Sequence, residues 1–326
     1  MILALELACG LLGLLVGADL AIRGASAIGY RFGLTPLVVG LTIVAWGTSL
    51  PELVVSTRAS LAGYDEIALG NVVGSNISNL LLILGVSALV RAIAVDARVL
   101  TIEAPILVAT TLAIAALLWV DALGRLVGAL LVATLLAHTT WTIRSTRRVE
   151  GGGAGAARSD SDGHDAGVGA ESTDTDPAAQ TPWRDVLRTA LGLAMLTGGG
   201  SLFVEGASGA AEALGIPPAI VGLTLVAVGT SLPELAASTI AALRGQGDLA
   251  IGNVLGSNVF NLVGVLGVAA TADPLERSGL AGRDLVALVV STLALTVLLY
   301  TRGRLERWEG AVLLVGYGVY LATLRI

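Results

Sequence analysis

Two glutamates stand where a carboxylate is hardest to keep. Glu52 and Glu234 each close the hexapeptide Gly-Thr-Ser-Leu-Pro-Glu, at residues 47–52 and 229–234, inside otherwise apolar sequence. An ionisable side chain at such depth is costly and marks a functional position by default. Downstream of each copy stands Gly-Asn-Val-x-Gly-Ser-Asn, at 70–76 and 252–258. Both motifs recur at one offset of 182 residues, and 30 of 49 positions are identical between 40–88 and 222–270, so the chain contains an internal duplication.

The residues around each glutamate supply oxygen. Pro51 has no N–H, so the carbonyl of Gly47, four residues back, loses its helical partner, and Gly47 eases the bend. Thr48 and Glu52 lie one above the other on a helix face, as do Thr230 and Glu234. Each broken helix thus gathers a carboxylate, a hydroxyl and bare carbonyls, which are tolerated at membrane depth only inside protein or along a wet cavity. On the following helix Asn71, Ser75 and Asn79 form a stripe at i, i+4, i+8 that Asn253, Ser257 and Asn261 repeat. Gly70 and Gly74 beside it permit close approach of a neighbouring helix. Amides and hydroxyls of this kind can simply bond helices together. Two such stripes beside two intramembrane glutamates favour a cation site. Every predicted ligand is a hard oxygen, with no His or Cys, which suits sodium, calcium or magnesium better than zinc or copper. Two carboxylates neutralise one divalent ion or two monovalent ones, and competition for them is a physical basis for exchange.

The elements that must position these residues are membrane helices. The chain has 326 residues, 55% hydrophobic and 13% charged, with mean hydropathy +0.84, which excludes an ordinary soluble enzyme. Apolar runs of about 20 residues imply helices and not a barrel. Ten spans are expected, at 2–28, 36–60, 66–90, 99–120 and 123–143, then 186–214, 218–243, 249–270, 280–300 and 305–324. The fold expected is therefore an all-α polytopic membrane protein, with one five-helix repeat in 1–146 and another in 183–326. Residues 147–182 between them are Gly-, Ala-, Ser- and Asp-rich and read as a solvated acidic linker, without the spacing of a calcium loop. An odd number of helices per repeat turns the second copy upside down, giving the inverted-topology repeat of secondary transporters. The Gly-, Ala- and Ser-rich stretches 18–28 and 200–210 of the first helix in each repeat are the expected sliding unit.

Lysine is absent, and of 19 arginines 14 fall on the inner side if both termini are outside, so the linker is expected to be cytoplasmic in a cell-membrane protein. Dispersed arginines give no nucleic-acid surface. Cys9 is alone and excludes an intrachain disulfide. Asp19 and Arg23, at i, i+4, read as a locally neutralised ion pair. His138 stands near a helix end and His164 in the linker, neither in a catalytic constellation, so no enzyme and no cofactor are expected.

At these motifs the chain resembles the sodium/calcium exchanger family of cation/calcium antiporters. The matching pattern is Gly47-Thr48-Ser49-Leu50-Pro51-Glu52 with Gly70-Asn71 and Gly74-Ser75-Asn76, and both parts recur in the second copy. The resemblance implies that Glu52 and Glu234 bind calcium and sodium alternately. It also implicates the carbonyls of Ala45, Thr48, Ala227 and Thr230, the side chains of Ser49, Ser75, Ser231 and Ser257, and Asn79 and Asn261. Several relatives, including the potassium-dependent branch, carry aspartate where Asn261 stands, which argues against potassium co-transport. The partners implied are inorganic cations and the lipid bilayer, for a chain acting as a monomer. A calcium/proton antiporter of the same superfamily is the nearest alternative, and a cation channel a remote one.

Overall fold

A computed structural model describes residues 2–153, 182–214, 229–276 and 280–324. In order these form helices α1 (Ile2–Arg31), α2 (Pro36–Thr48), α3 (Leu50–Leu61), α4 (Asp65–Val90), α5 (Val99–Trp119) and α6 (Arg125–Gly153). After the linker come α7 (Pro182–Ala213), α8 (Leu232–Leu243), α9 (Gly247–Ala272), α10 (Gly282–Arg302) and α11 (Arg307–Thr323). Among the described residues seven helices are long and apolar enough to cross a membrane, or eight if α2 and α3, bent by 46° at their junction, are one broken span. The expected span 218–243 is described only from residue 229, and the expected linker lies outside the described residues from 154 to 181. Helix α6 runs past the expected boundary at 146 to Gly153, where this described segment ends.

Helices α4 and α9 form the centre, buried along most of their lengths. The outer helices expose Leu112, Leu130, Val290, Val297, Val315 and other large apolar residues, the surface a bilayer requires. Small non-helical additions tie the two halves: strand β1 (Ile93–Ala94) pairs antiparallel with β2 (Arg304–Leu305).

Helices α1 and α7 pack antiparallel along their whole lengths, on glycine. A Cβ placed on Gly10 would lie 2.5 Å from the backbone nitrogen of Phe203, on Gly17 2.7 Å from that of Leu196, and on Gly24 2.7 Å from that of Thr189. The seam is therefore backbone against backbone, with little side-chain interlocking. A Cβ on Gly192 would lie 2.3 Å from Ala21 N, so Gly192→Val is expected to lower stability by about 1–3 kcal/mol. Gly318→Ala, in α11 where no described atom comes within 4 Å, is the control and should not lower the melting temperature in detergent. One end of the pair is pinned by charge. Asp185 is buried and bonds Arg31 of α1 at 3.1 Å, and Asp19 pairs with Arg23 at 2.9 Å, as its spacing implies, and also with Arg244 after α8.

Candidate cation site

Both glutamates sit in the first turn of a helix that begins at a break. Ser49 (φ −85°, ψ 10°) precedes α3 and Ser231 (φ −89°, ψ 6°) precedes α8, each followed by a leucine, a proline and the glutamate. A serine at such a position ordinarily caps its own helix. Neither does so here. Ser49 Oγ donates instead to Glu234 Oε1 at 2.8 Å, and Ser231 Oγ donates to Glu52 Oε1 at 3.3 Å. Each half thus hands its capping hydroxyl to the other half's carboxylate, while the positive end of each short helix dipole faces its own glutamate.

The asparagine stripe divides between two layers. Asn79 opens a π turn, Asn79–Ile83, and Asn261 lies in another, Phe260–Val265. Such turns widen a helix locally and concentrate at functional positions. Helix α8, carrying Glu234, packs on the Asn79 turn, and α3, carrying Glu52, packs on the Asn261 turn. Asn261 Nδ2 donates to Ser75 Oγ at 3.2 Å, and Ser257 Oγ reaches the Ala45 carbonyl at 3.5 Å. Asn71 and Asn253 face away from this layer, toward Ser56 and Ser238. Gly252 and Gly256 let α9 meet α2 closely, where added Cβ atoms would lie 2.5 and 2.6 Å from the carbonyl oxygens of Leu37 and Leu41. The partners that the 182-residue offset assigns to Gly70 and Gly74, residues 219–223, lie outside the described residues, as does Ala227.

Electrostatics separates Glu52 and Glu234 from the other buried acids. Glu103 has Arg98 at 3.1 Å, Asp185 has Arg31 and Arg188, and Glu309 caps α11 through the backbone N–H of Glu306. Glu52 and Glu234 are equally buried, yet among the described residues neither has a protein cation. Oε2 of each, Oδ1 of Asn261 and both amide atoms of Asn79 also lack a hydrogen-bond partner there. Burying such groups unpaired costs roughly 1–3 kcal/mol for a neutral polar atom and more for a charge. Four unsatisfied oxygens, two of them on carboxylates, are thus carried by α3, α4, α8 and α9. No three of His, Cys, Asp and Glu come together among the described residues, so a cation here would take much of its shell from neutral oxygen.

Comparison with known proteins gives this arrangement its context. The family described as sodium/calcium exchanger protein matches residues 2–144 and 185–325. The chain belongs to that family. As a member it is a membrane transporter of the cation/calcium antiporter class. It is 36% identical to the putative antiporter CaxA of Alkalimonas amylolytica, over 94% of each chain. It is 33% identical to the sodium/calcium exchanger MaX1 of Methanosarcina acetivorans, over 98% of this chain and 97% of that one. The solved sodium-calcium exchanger NCX_Mj superposes with a TM-score of 0.82 at 29% identity, covering 100% of this chain and 99% of its own.

Sequence reasoning singled out the glutamates, serines, threonines and asparagines of the candidate site but not all of their surroundings. The π turns escaped it. So did Ser56 and Ser238, and Asn76 and Asn258, which are fully buried and donate to the carbonyls four residues back at 2.7 and 2.8 Å. For Asn76 and Asn258 the signal was present, as polar residues repeated at the 182-residue offset.

Proposed function

We propose that this chain exchanges calcium for sodium across the cell membrane by alternating access, at a midplane site built on Glu52 and Glu234. The observation that carries this reading is the pair of fully buried carboxylates with no protein counter-charge among the described residues, each with an unsatisfied oxygen. One divalent ion neutralises them, as do two monovalent ions. Asn79 and Asn261 would add amide oxygens, Ser75 and Ser257 hydroxyls. Ser49, Ser231, Thr48, Thr230, Ala45 and Ala227 would line the breaks. The calcium and sodium are substrates, and no resident cofactor is part of the reading.

The same reading takes the chain as ten helices in two inverted five-helix repeats, 1–146 and 183–326, with both termini outside and 147–182 cytoplasmic, acting as a monomer. Reciprocal bonds support the two-repeat part of it: Ser49 to Glu234 and Ser231 to Glu52, Thr48 to Asn253 and Thr230 to Asn71, all related by the sequence offset.

Purified protein in proteoliposomes tests the counter-ion. An outward sodium gradient is expected to drive calcium uptake, and a pH gradient of equal size, without sodium, is not. Uptake driven by the pH gradient alone would replace sodium by protons in the mechanism. If three sodium ions leave per calcium entering, one positive charge leaves per cycle, so an inside-positive potassium/valinomycin potential should speed uptake. A flat response would identify neutral two-for-one exchange.

A further inference from the structure

Behind the carboxylates lies a second set of contacts that spans both halves. Asn71 Nδ2 donates to Ser56 Oγ at 2.9 Å and to the backbone carbonyl of Glu52 at 3.4 Å. A carbonyl can only accept, so it turns the amide nitrogen toward α3 and leaves Oδ1 for Thr230 Oγ1, at 3.3 Å. The second copy repeats the two side-chain contacts: Asn253 Nδ2 donates to Ser238 Oγ at 2.9 Å, and its Oδ1 accepts from Thr48 Oγ1 at 3.3 Å. Asn253, Ser238 and Thr48 are fully buried. Each asparagine therefore joins the carboxylate-bearing helix of its own half to the helix break of the other.

Thr48 makes the consequence specific. Its hydroxyl has one proton and three acceptors in reach: Val44 O at 3.1 Å, Ala45 O at 3.4 Å and Asn253 Oδ1 at 3.3 Å. Inside a helix a threonine hydroxyl by default bonds the carbonyl one turn back. A carbonyl so engaged is a poorer cation ligand, because the hydroxyl proton competes for its lone pairs.

We propose that Asn253 is a positioning residue of the cation site, drawing the hydroxyl proton of the other half's Thr48 onto its amide oxygen and so freeing the carbonyls of the helix break for the cation. For Asn253 those are the carbonyls of Val44 and Ala45, and Ser238 holds the amide in the required orientation. Asn71, held by Ser56, makes the matching contact with Thr230. The inference rests on the cation-site reading given above.

The test is a double-mutant cycle on the full chain in proteoliposomes. Asn253→Leu is expected to raise the calcium concentration for half-maximal exchange by about 10- to 100-fold, the usual loss when a residue supporting a metal ligand is removed, with the maximal rate nearly kept. Thr48→Val removes the competing proton while keeping the backbone carbonyls. In that background Asn253→Leu should have no further effect. An equal loss in both backgrounds would show a merely structural role and overturn the proposal, as would unchanged affinity in Asn253→Leu. Should Asn253→Leu fold poorly, Ser238→Ala makes the smaller change and should shift affinity in the same direction, with Ser238→Thr restoring it; no shift in Ser238→Ala also overturns it. Calorimetric calcium binding by Glu234→Gln separates the two levels. If that variant binds like the parent, the site reading fails. If it loses binding while Asn253→Leu binds normally, only the positioning role fails.

Discussion

Glu52→Gln and Glu234→Gln are each expected to abolish calcium exchange in vesicles while leaving the chain inserted and as stable as before, or more so. Glutamine keeps the volume and can still accept from Ser231 or Ser49, so local packing survives. What goes is half of the charge that offsets a divalent ion in a site with no other anion among the described residues. Leaving a buried charge uncompensated costs about 3–5 kcal/mol, which weakens binding by roughly 100- to 1,000-fold or more. The stability effect has the opposite sign. In the ion-free protein both carboxylates are fully buried with no protein counter-charge among the described residues, so replacing one removes a desolvation cost. Glu103→Gln is the contrast. It takes the partner from Arg98, which lies 18% exposed against α6, and should lower the melting temperature without removing calcium binding. Radiolabelled calcium uptake and thermal unfolding of the ion-free protein read both signs. Wild-type uptake in either site variant would end the assignment of Glu52 and Glu234.

That assignment was legible in the sequence because polar residues stand out in apolar segments, and because the duplication printed each of them twice. Partners were less legible. Spacing gives the face of a helix on which Ser49 or Ser231 lies but not what crosses to meet it, so the exchange of hydroxyls between halves appeared only in three dimensions. The asparagine stripe misled for a geometric reason. Eight residues at 3.6 per turn drift by about 80°, so Asn71 cannot share the outlook of Asn79. It turns to Ser56 and Thr230, and the residues expected to line one cavity separate into a site layer and a supporting layer. The π turns that carry Asn79 and Asn261 have no side-chain signature, since one widened turn changes the hydrogen-bond register without changing the apolar pattern. Asp19 was readable only as the partner of Arg23, because its second partner, Arg244, is brought to it by the packing of α8 on α1.

The same packing decides what can move. Helices α1 and α7 pack backbone to backbone along their lengths, share the Leu14, Ala18, Ala21 and Leu196 cluster and are tied by Arg31–Asp185, so the two first helices are expected to shift as one body against the helices that carry the site. A cross-link between that body and a broken helix should then stop exchange without touching an ion ligand. Gly200 of α7 and Leu232 at the start of α8 are suited to it. A Cβ on Gly200 would lie 3.8 Å from the Cβ of Leu232, inside the range a disulfide spans, and meets no described atom closer than 3.7 Å. Cys9, the lone native cysteine, is first replaced by serine. In that background Gly200→Cys with Leu232→Cys should exchange calcium normally when reduced and stop when oxidised, and reduction should restore it. Calcium binding to the oxidised protein should persist, because the carboxylates, Asn79 and Asn261 are untouched. Continued turnover in fully cross-linked protein would remove α1 and α7 from the moving part and shift the search to the outer helices.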